Sequence, residues 1–464
     1  MTHIPFRPWM GLSLLLAAVS VSPALAQSGI VFTGAGPINR SMGGAATAAP
    51  IDASGALLWN PAAITGLESS EMEFGAELLY PHAKLSSSVA PGALATLGPP
   101  IPLSGSTKSD VGVNPLPSVG LVYHPEDSDF TYGLGIDLVG GFAINYPGSS
   151  LANPFTANPI LTPQPPGGIG LGPVFAELQI LQFAPTVAVQ LTDHLSFGFA
   201  PTIDLGFLEA DPAFIVAPNI VNGFPEYPPG THTETQWGAG FQLGLYYALQ
   251  DWQFGSSFKS PQWFEPFRFD SVNAAGGPRT IKFDFDYPMI LSEGIAYSGF
   301  ENWLLTADLR YIDYRNTEGF RDRGFDATGA ARGLGWDSIW GVSAGAQYRL
   351  TDFLTLRAGY SYNENPIDNI ETSFNVASPV IIEHTLYVGA SYRVSDNLIL
   401  SAAYAHAFQN SITGPLLQPT GPIPGYNVTS TISADTFLFG ATVQFGPRCS
   451  SPTGSPVAFS GSAN

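Results

Sequence analysis

The chain has 464 residues, with 17 Lys plus Arg against 37 Asp plus Glu and a formal charge of −20. That balance excludes the basic footprint of a nucleic-acid binder, and the single cysteine, Cys449, excludes an internal disulfide or a cysteine-based metal site. Charged residues make up 12% of the chain, about half the usual share for soluble proteins, while 51 Gly and 41 Pro are many.

Residues 1–26 read as a secretory signal. His3 and Arg7 open it, Met10–Val21 is its apolar core, and Ala24-Leu25-Ala26 forms a small-x-small cleavage site. The apolar core is too short to cross ~30 Å of hydrocarbon as a helix. No later stretch reaches ~18 consecutive apolar residues, so a membrane crossing would have to be made by strands. Residues 27–68 follow, dense in small residues and with a turn at Asn60-Pro61.

From residue 69 to 446 the chain alternates in fourteen segments of ~10 residues with period 2. In Phe353–Asn363, for example, Leu354, Leu356, Ala358, Tyr360 and Tyr362 share one face, while Thr355, Arg357, Gly359, Ser361 and Asn363 share the other. Short joints at 124–129, 192–193, 250–251, 299–302, 351–352 and 395–397 separate long Gly/Pro-rich stretches at 147–173, 211–233, 316–334 and 410–432. Tight turns on one side and long loops on the other predict an all-β fold: a 14-stranded antiparallel transmembrane β-barrel with both ends at the periplasmic rim. A soluble sandwich would have shorter strands and would not confine Tyr and Trp to strand ends. Charges on the lipid face cost ~2–4 kcal/mol at mid-bilayer, and Glu73, Glu77, Asp137, Asp204, Asp308, Arg310 and Arg357 all fall on the lumen face. Glu293 does not, unless a bulge near Ser292 shifts its register. A lumen wider than that of an eight-stranded barrel leaks unless filled, which assigns 27–68 to the lumen as a plug. Residues 447–464 form a polar tail beyond the last strand.

Within 29–68 the chain reads Gly34, Gly36, Met42-Gly43-Gly44-Ala45, Asp52 and Asn60-Pro61-Ala62. Near the other end stand Leu356-Arg357-Ala358-Gly359-Tyr360-Ser361-Tyr362, with Pro366-Ile367 after it, and His384-Thr385-Leu386-Tyr387-Val388-Gly389. In these motifs the chain resembles the FadL/TodX-type outer-membrane transporters of long-chain fatty acids and hydrocarbons. The resemblance implies a barrel closed by an N-terminal hatch, loops that capture apolar ligand, an internal pocket, and sideways exit through a gap beside a kinked third strand. Here the third strand is Phe130–Tyr146, with Gly140 and Gly141 as the candidate kink. Family members end at the aromatic residue of the last strand, whereas Phe445 is followed by further chain.

No catalytic constellation, cofactor motif or convincing metal pattern stands out; His232-Thr233-Glu234 is the nearest to one. The chain is therefore read as a transporter, not an enzyme, without cofactor. Asp308 and Arg310 share a face and can pair, and Arg357 lies two strands on. Either arginine could hold a fatty-acid carboxylate or brace the barrel. Phe214, Ile215 and Val216, with the stretch 154–171, are apolar loop segments suited to capture, since the loop between strands seven and eight, about Ser271–Thr280, is short. The expected role is passive outer-membrane passage of long apolar molecules, fatty acids first and aromatic or aliphatic hydrocarbons as the alternative. A water-filled porin and an adhesin or structural barrel are the rival readings. Expected partners are outer-membrane lipid and lipopolysaccharide, a small hydrophobic ligand and the barrel assembly machinery, around a monomer in the outer membrane of a Gram-negative bacterium.

Overall fold

The computed structural model describes residues 27–93, 102–152, 156–230 and 233–446. The signal segment, the tail 447–464, Pro154, His232 and Cys449 lie outside them.

Fourteen strands form the wall, and we number them β1 to β14. They are β1 Ser70–Val89, β2 Asn114–Tyr123, β3 Phe130–Tyr146, β4 Val174–Gln190, β5 Leu195–Asp211, β6 Glu234–Leu249 and β7 Trp252–Lys259. The second half is β8 Met289–Tyr297, β9 Trp303–Asp313, β10 Ile339–Arg349, β11 Leu354–Asn363, β12 His384–Ser395, β13 Leu398–Gln418 and β14 Gly421–Phe445. Neighbours pair antiparallel around the ring, and β14 closes on β1 from Phe445↔Ser70 to Tyr426↔Val89. Closure pairs the first strand with the last, as strands in hydrocarbon require because no water is there to pair a free backbone group.

The alternation sorts itself across this wall. Phe74, Phe254, Leu356, Leu400 and Phe439 face outward and are exposed, whereas Glu73, Glu77, Asp137, Asp204, Asp308, Arg310 and Arg357 are buried inside. At the rim of short turns, Trp252 packs on Tyr297 at 4.5 Å and Trp303 on Tyr348 at 4.7 Å between ring centres, part of an interfacial girdle.

Three expectations are corrected. Residues 410–432 are not a loop: β13 and β14 run on as one hairpin to a turn at Pro419-Thr420, because their period-2 pattern of Ser, Thr and apolar residues continues past the membrane. The connection between β7 and β8 is not short either. It spans 260–288 and carries its own hairpin, Phe267–Val272 with Pro278–Phe283, of which Ser271–Thr280 is the outer part. Glu293 gains no bulge: β8 pairs in unbroken register with β7 and β9, so its carboxylate lies on the outer face and accepts a 2.8 Å hydrogen bond from Ser256 Oγ.

The lumen is filled from both sides. Residues 27–68 fold into it with two short helices, α1 Gly36–Ser41 and α2 Ala53–Trp59. From the long-loop side descends a stack of buried rings: Phe285, Phe320, Tyr314 and Trp336, with adjacent centres 4.7–5.3 Å apart.

Candidate functional site

The plug is built from small residues because its backbone runs against the wall. Gly44 takes φ +79°, and a Cβ there would stand 1.8 Å from the Thr33 carbonyl oxygen. Gly43 has φ +71°, and its missing Cβ would press on the Tyr360 carbonyl of β11. Only glycine combines that conformation with that approach. Gly34 stands two residues before α1 and Gly36 is its first residue. Asp52 caps α2 by accepting from Gly55 N at 3.4 Å.

Side chains of the wall then fasten the plug. Asp308 Oδ2 on β9 accepts from Ala46 N at 2.9 Å, Thr47 N at 3.0 Å and Thr47 Oγ1 at 2.8 Å. The same oxygen accepts from Arg310 Nη2 at 2.6 Å. Arg310 Nη2 also donates to the Gly44 carbonyl at 2.6 Å, and the guanidinium lies 3.5 Å over the Trp59 ring. Asn60 bridges plug and wall: its Nδ2 donates to Thr47 O at 2.7 Å and to Leu245 O of β6 at 2.9 Å, while its Oδ1 accepts from Ala62 N at 3.0 Å. Pro61 and Ala62 follow, packed against Gly198 and Gly244 of the wall.

Arg310 and Arg357, candidates for a ligand carboxylate, are thus placed differently. Arg310 is engaged by Asp308, Gly44 and Ser343. Arg357 does not reach that cluster; its Nε donates to Gln347 at 2.7 Å and its Nη1 to Ser391 at 2.6 Å. Two further cations are buried in the lumen, Arg40 on the plug and Lys259 on the lumen face of the wall. Arg40 of α1 forms an ion pair with Glu77 of β1 and donates to Thr33 Oγ1. A lone arginine in a stretch of small residues bound for a closed lumen is the signal for that partner. Lys259 of β7 is buried and donates to Gln182 Oε1 at 3.0 Å; Gln182 in turn donates to Asp204 Oδ1 at 2.7 Å.

The wall breaks at β3. Its pairing with β2 runs from Tyr123↔Tyr132 to Ser118↔Asp137 and ends there. Beyond it, β2 carries Asn114-Pro115-Leu116-Pro117, whose prolines donate no hydrogen bond. On the other edge, the register with β4 slips between Leu138 and Gly140, a bulge that leaves Val139 out of the ladder. The plug occupies the vacated edge: Val31 pairs with Gly140, and Gly141 N donates to Ile30 O at 3.0 Å. Tyr287 of the 260–288 loop donates to Val139 O at 3.1 Å. Beside this break lies a crevice of about 10 Å3 lined by Phe32, Pro37, Glu77, Pro117, Asp137 and Leu138, room for about one water.

Above the lumen, the long loops shape a groove of about 310 Å3. Ile160, Leu171, Phe214, Tyr227, Phe374 and Leu416 line it, and among the described residues no Lys, Arg, His, Asp or Glu does. Phe214 therefore faces the groove, whereas Ile215 and Val216 pack against the core below.

The family model of the outer membrane protein transport proteins (OMPP1/FadL/TodX) matches residues 171–446. The chain belongs to that family. As an OMPP1/FadL/TodX protein it resides in the outer membrane of a Gram-negative bacterium and belongs to a family of hydrophobic-substrate transporters, not enzymes. Among solved structures it is similar to the P. putida toluene transporter TodX, at 17% identity over 89% of this chain and 99% of that one, with a TM-score of 0.63. The Ralstonia pickettii toluene transporter TbuX matches at 20% identity, 89% and 99% coverage and a TM-score of 0.63. A Pseudomonas aeruginosa FadL homologue matches at 14% identity, 90% and 100% coverage and a TM-score of 0.66. These likenesses show the shared fold. No curated protein matches the chain.

Proposed function

We propose that this chain moves long, uncharged apolar molecules passively inward: capture in the loop groove, displacement of the plug, and sideways exit beside the β3 break. The uncharged lining of the groove carries the reading, because apolar burial alone, at ~25 cal/mol per Å2, suffices for capture there. Two further observations support it. Arg310 and Arg357 already donate to protein acceptors, and the vacated β3 edge is held by plug backbone rather than by a wall strand. In the closed state described, the crevice beside the break is too small for any ligand, so passage requires the plug to move.

Lys259 favours a second reading, in which the ligand is a fatty acid. Among the described residues its ammonium has an amide partner and no carboxylate in ion-pair contact, so a ligand carboxylate could supply one. Binding of a long-chain fatty acid beside its methyl ester and a long alkane, in wild type and Lys259→Met, separates the two. Ester and alkane binding at least as tightly as the acid supports the uncharged ligand. An acid preference that disappears in Lys259→Met, by ~1.5–3 kcal/mol, would overturn it in favour of the fatty acid. A large, steady ion conductance from the purified protein would sink both and leave a porin.

A further inference from the structure

The sequence holds four lysines, and two of them, Lys84 and Lys108, are cross-strand partners. Lys84 lies in the outer half of β1; Lys108 ends the short strand Leu103–Lys108, which pairs with β1 where β2 has already turned away. Direct partners point to the same face, and like charges placed so repel. Both lysines are exposed, and among the described residues neither makes a hydrogen bond or ion pair. In a chain of charge −20, with carboxylates to spare, the repulsion is left without an internal counter-charge.

Their height on the barrel says what could relieve it. β1 rises from Ser70 at the short-turn rim to Val89 on the loop side. Phe74 faces lipid low on the strand, and Tyr80 packs edge-on to Phe437 of β14 at 5.9 Å, with Tyr404 of β13 on the same ring at 5.2 Å. This aromatic group marks the outer interface. Asp435, at that level, is already engaged by Tyr404, His406 and His82. Lys84 stands four residues above Tyr80, about 10 Å higher on a tilted strand, which is the level of the outer-leaflet headgroups.

Around the lysines the same face is a raft of hydroxyls. Thr431 of β14 is the other partner of Lys84, and Ser411 of β13 meets it Oγ to Oγ1 at 2.9 Å. One step higher, Thr413 meets Thr429 at 2.8 Å, and Thr429, Ser86 and Ser106 continue the row across β14, β1 and the short strand. Asp110, two residues past Lys108, lies beyond the end of that strand.

We propose that this face is a binding site for a phosphorylated glycolipid of the outer leaflet, with Lys84 and Lys108 flanking one phosphate and the Ser/Thr raft under its sugar. The lipid's acyl chains then run down the outward apolar band past Tyr80 toward Phe74. The phosphate supplies the counter-charge that the lysine pair lacks, and the hydroxyls supply donors and acceptors that a sugar ring matches.

Full-length protein in detergent tests this with three probes: bis-phosphorylated lipid A, its dephosphorylated analogue and inorganic phosphate. Wild type should bind the phosphorylated lipid, and Lys84→Gln/Lys108→Gln should bind it about thirtyfold more weakly, from about 1 kcal/mol for each lysine at an anionic surface. Lys84→Arg/Lys108→Arg should retain the affinity, and barrel assembly in each variant is checked by heat-modifiable mobility. Unchanged affinity in the glutamine pair overturns the proposal. Inorganic phosphate binding as tightly as the lipid overturns the lipid as occupant. Should the glutamine pair not assemble, equal binding of phosphorylated and dephosphorylated lipid by wild type decides against it.

Discussion

Asp308 is the point at which the plug can be loosened without touching the backbone hydrogen bonds of the wall. Its Oδ2 accepts three bonds from Ala46 and Thr47, and it is the ion-pair partner of buried Arg310. Asp308→Ala removes those acceptors and leaves the guanidinium without its carboxylate. Breaking a buried pair on one side costs about 3–5 kcal/mol. If that cost falls on the closed position of the plug, the open population rises by about two to three and a half orders of magnitude. Hydrogen exchange at the Ala46 and Thr47 amides reads it directly, beside heat-modifiable mobility as a check that the barrel still forms. Removing both partners, in Asp308→Ala/Arg310→Met, should recover part of the loss, because no lone charge stays buried. The reasoning is refuted if exchange at Ala46 and Thr47 is unchanged in the single variant, or if the double variant opens more than the single one.

Three further outcomes follow from the same contacts. Asn60→Ala deletes the bridge from Thr47 O to Leu245 O, so uptake of an apolar substrate by intact cells should change while assembly persists; unchanged uptake would reduce Asn60 to a folding element. Gly44→Ala forces a Cβ into the Thr33 carbonyl at positive φ, at about 1–2 kcal/mol for the conformation alone before the clash; increased proteolysis of the plug should report it. Asp326, in the loop behind the groove, accepts from Thr328 Oγ1 at 2.6 Å, Thr328 N at 2.8 Å and Ala330 N at 3.0 Å, and its hydrogen bonds, that from the Thr328 side chain foremost, hold its carboxyl below the usual range. A depressed folded-state pKa stabilises the loop above the ordinary aspartate value and loses that contribution as pH falls through the lower one. Amide exchange over 326–331 should therefore quicken only in acid, and Asp326→Asn should show the acid behaviour at neutral pH.

Much of the barrel was legible in the sequence because its determinants are local and periodic. A strand in lipid must alternate, and a charge on the wrong face is expensive, so residues such as Asp308, Arg357 and Leu400 announce their side from parity alone. The six short joints likewise locate the periplasmic turns. Parity is silent on height, however. It could not tell that 410–432 continues the wall as strand, or that 260–288 carries a hairpin of its own, since an alternating segment looks the same inside and above a membrane. Parity also says nothing about what a lumen side chain meets. Asp308 and Arg310 were recognisable as a pair from their spacing, but that they hold the backbone of Gly44, Ala46 and Thr47 depends on where the plug lies across 261 or more residues of chain. Gly140 and Gly141 marked a weak point in β3 by composition. That plug residues Ile30 and Val31 fill the edge left by β2, and that Lys84 meets Lys108, are long-range pairings set by closure of the ring, and only the tertiary structure decided them.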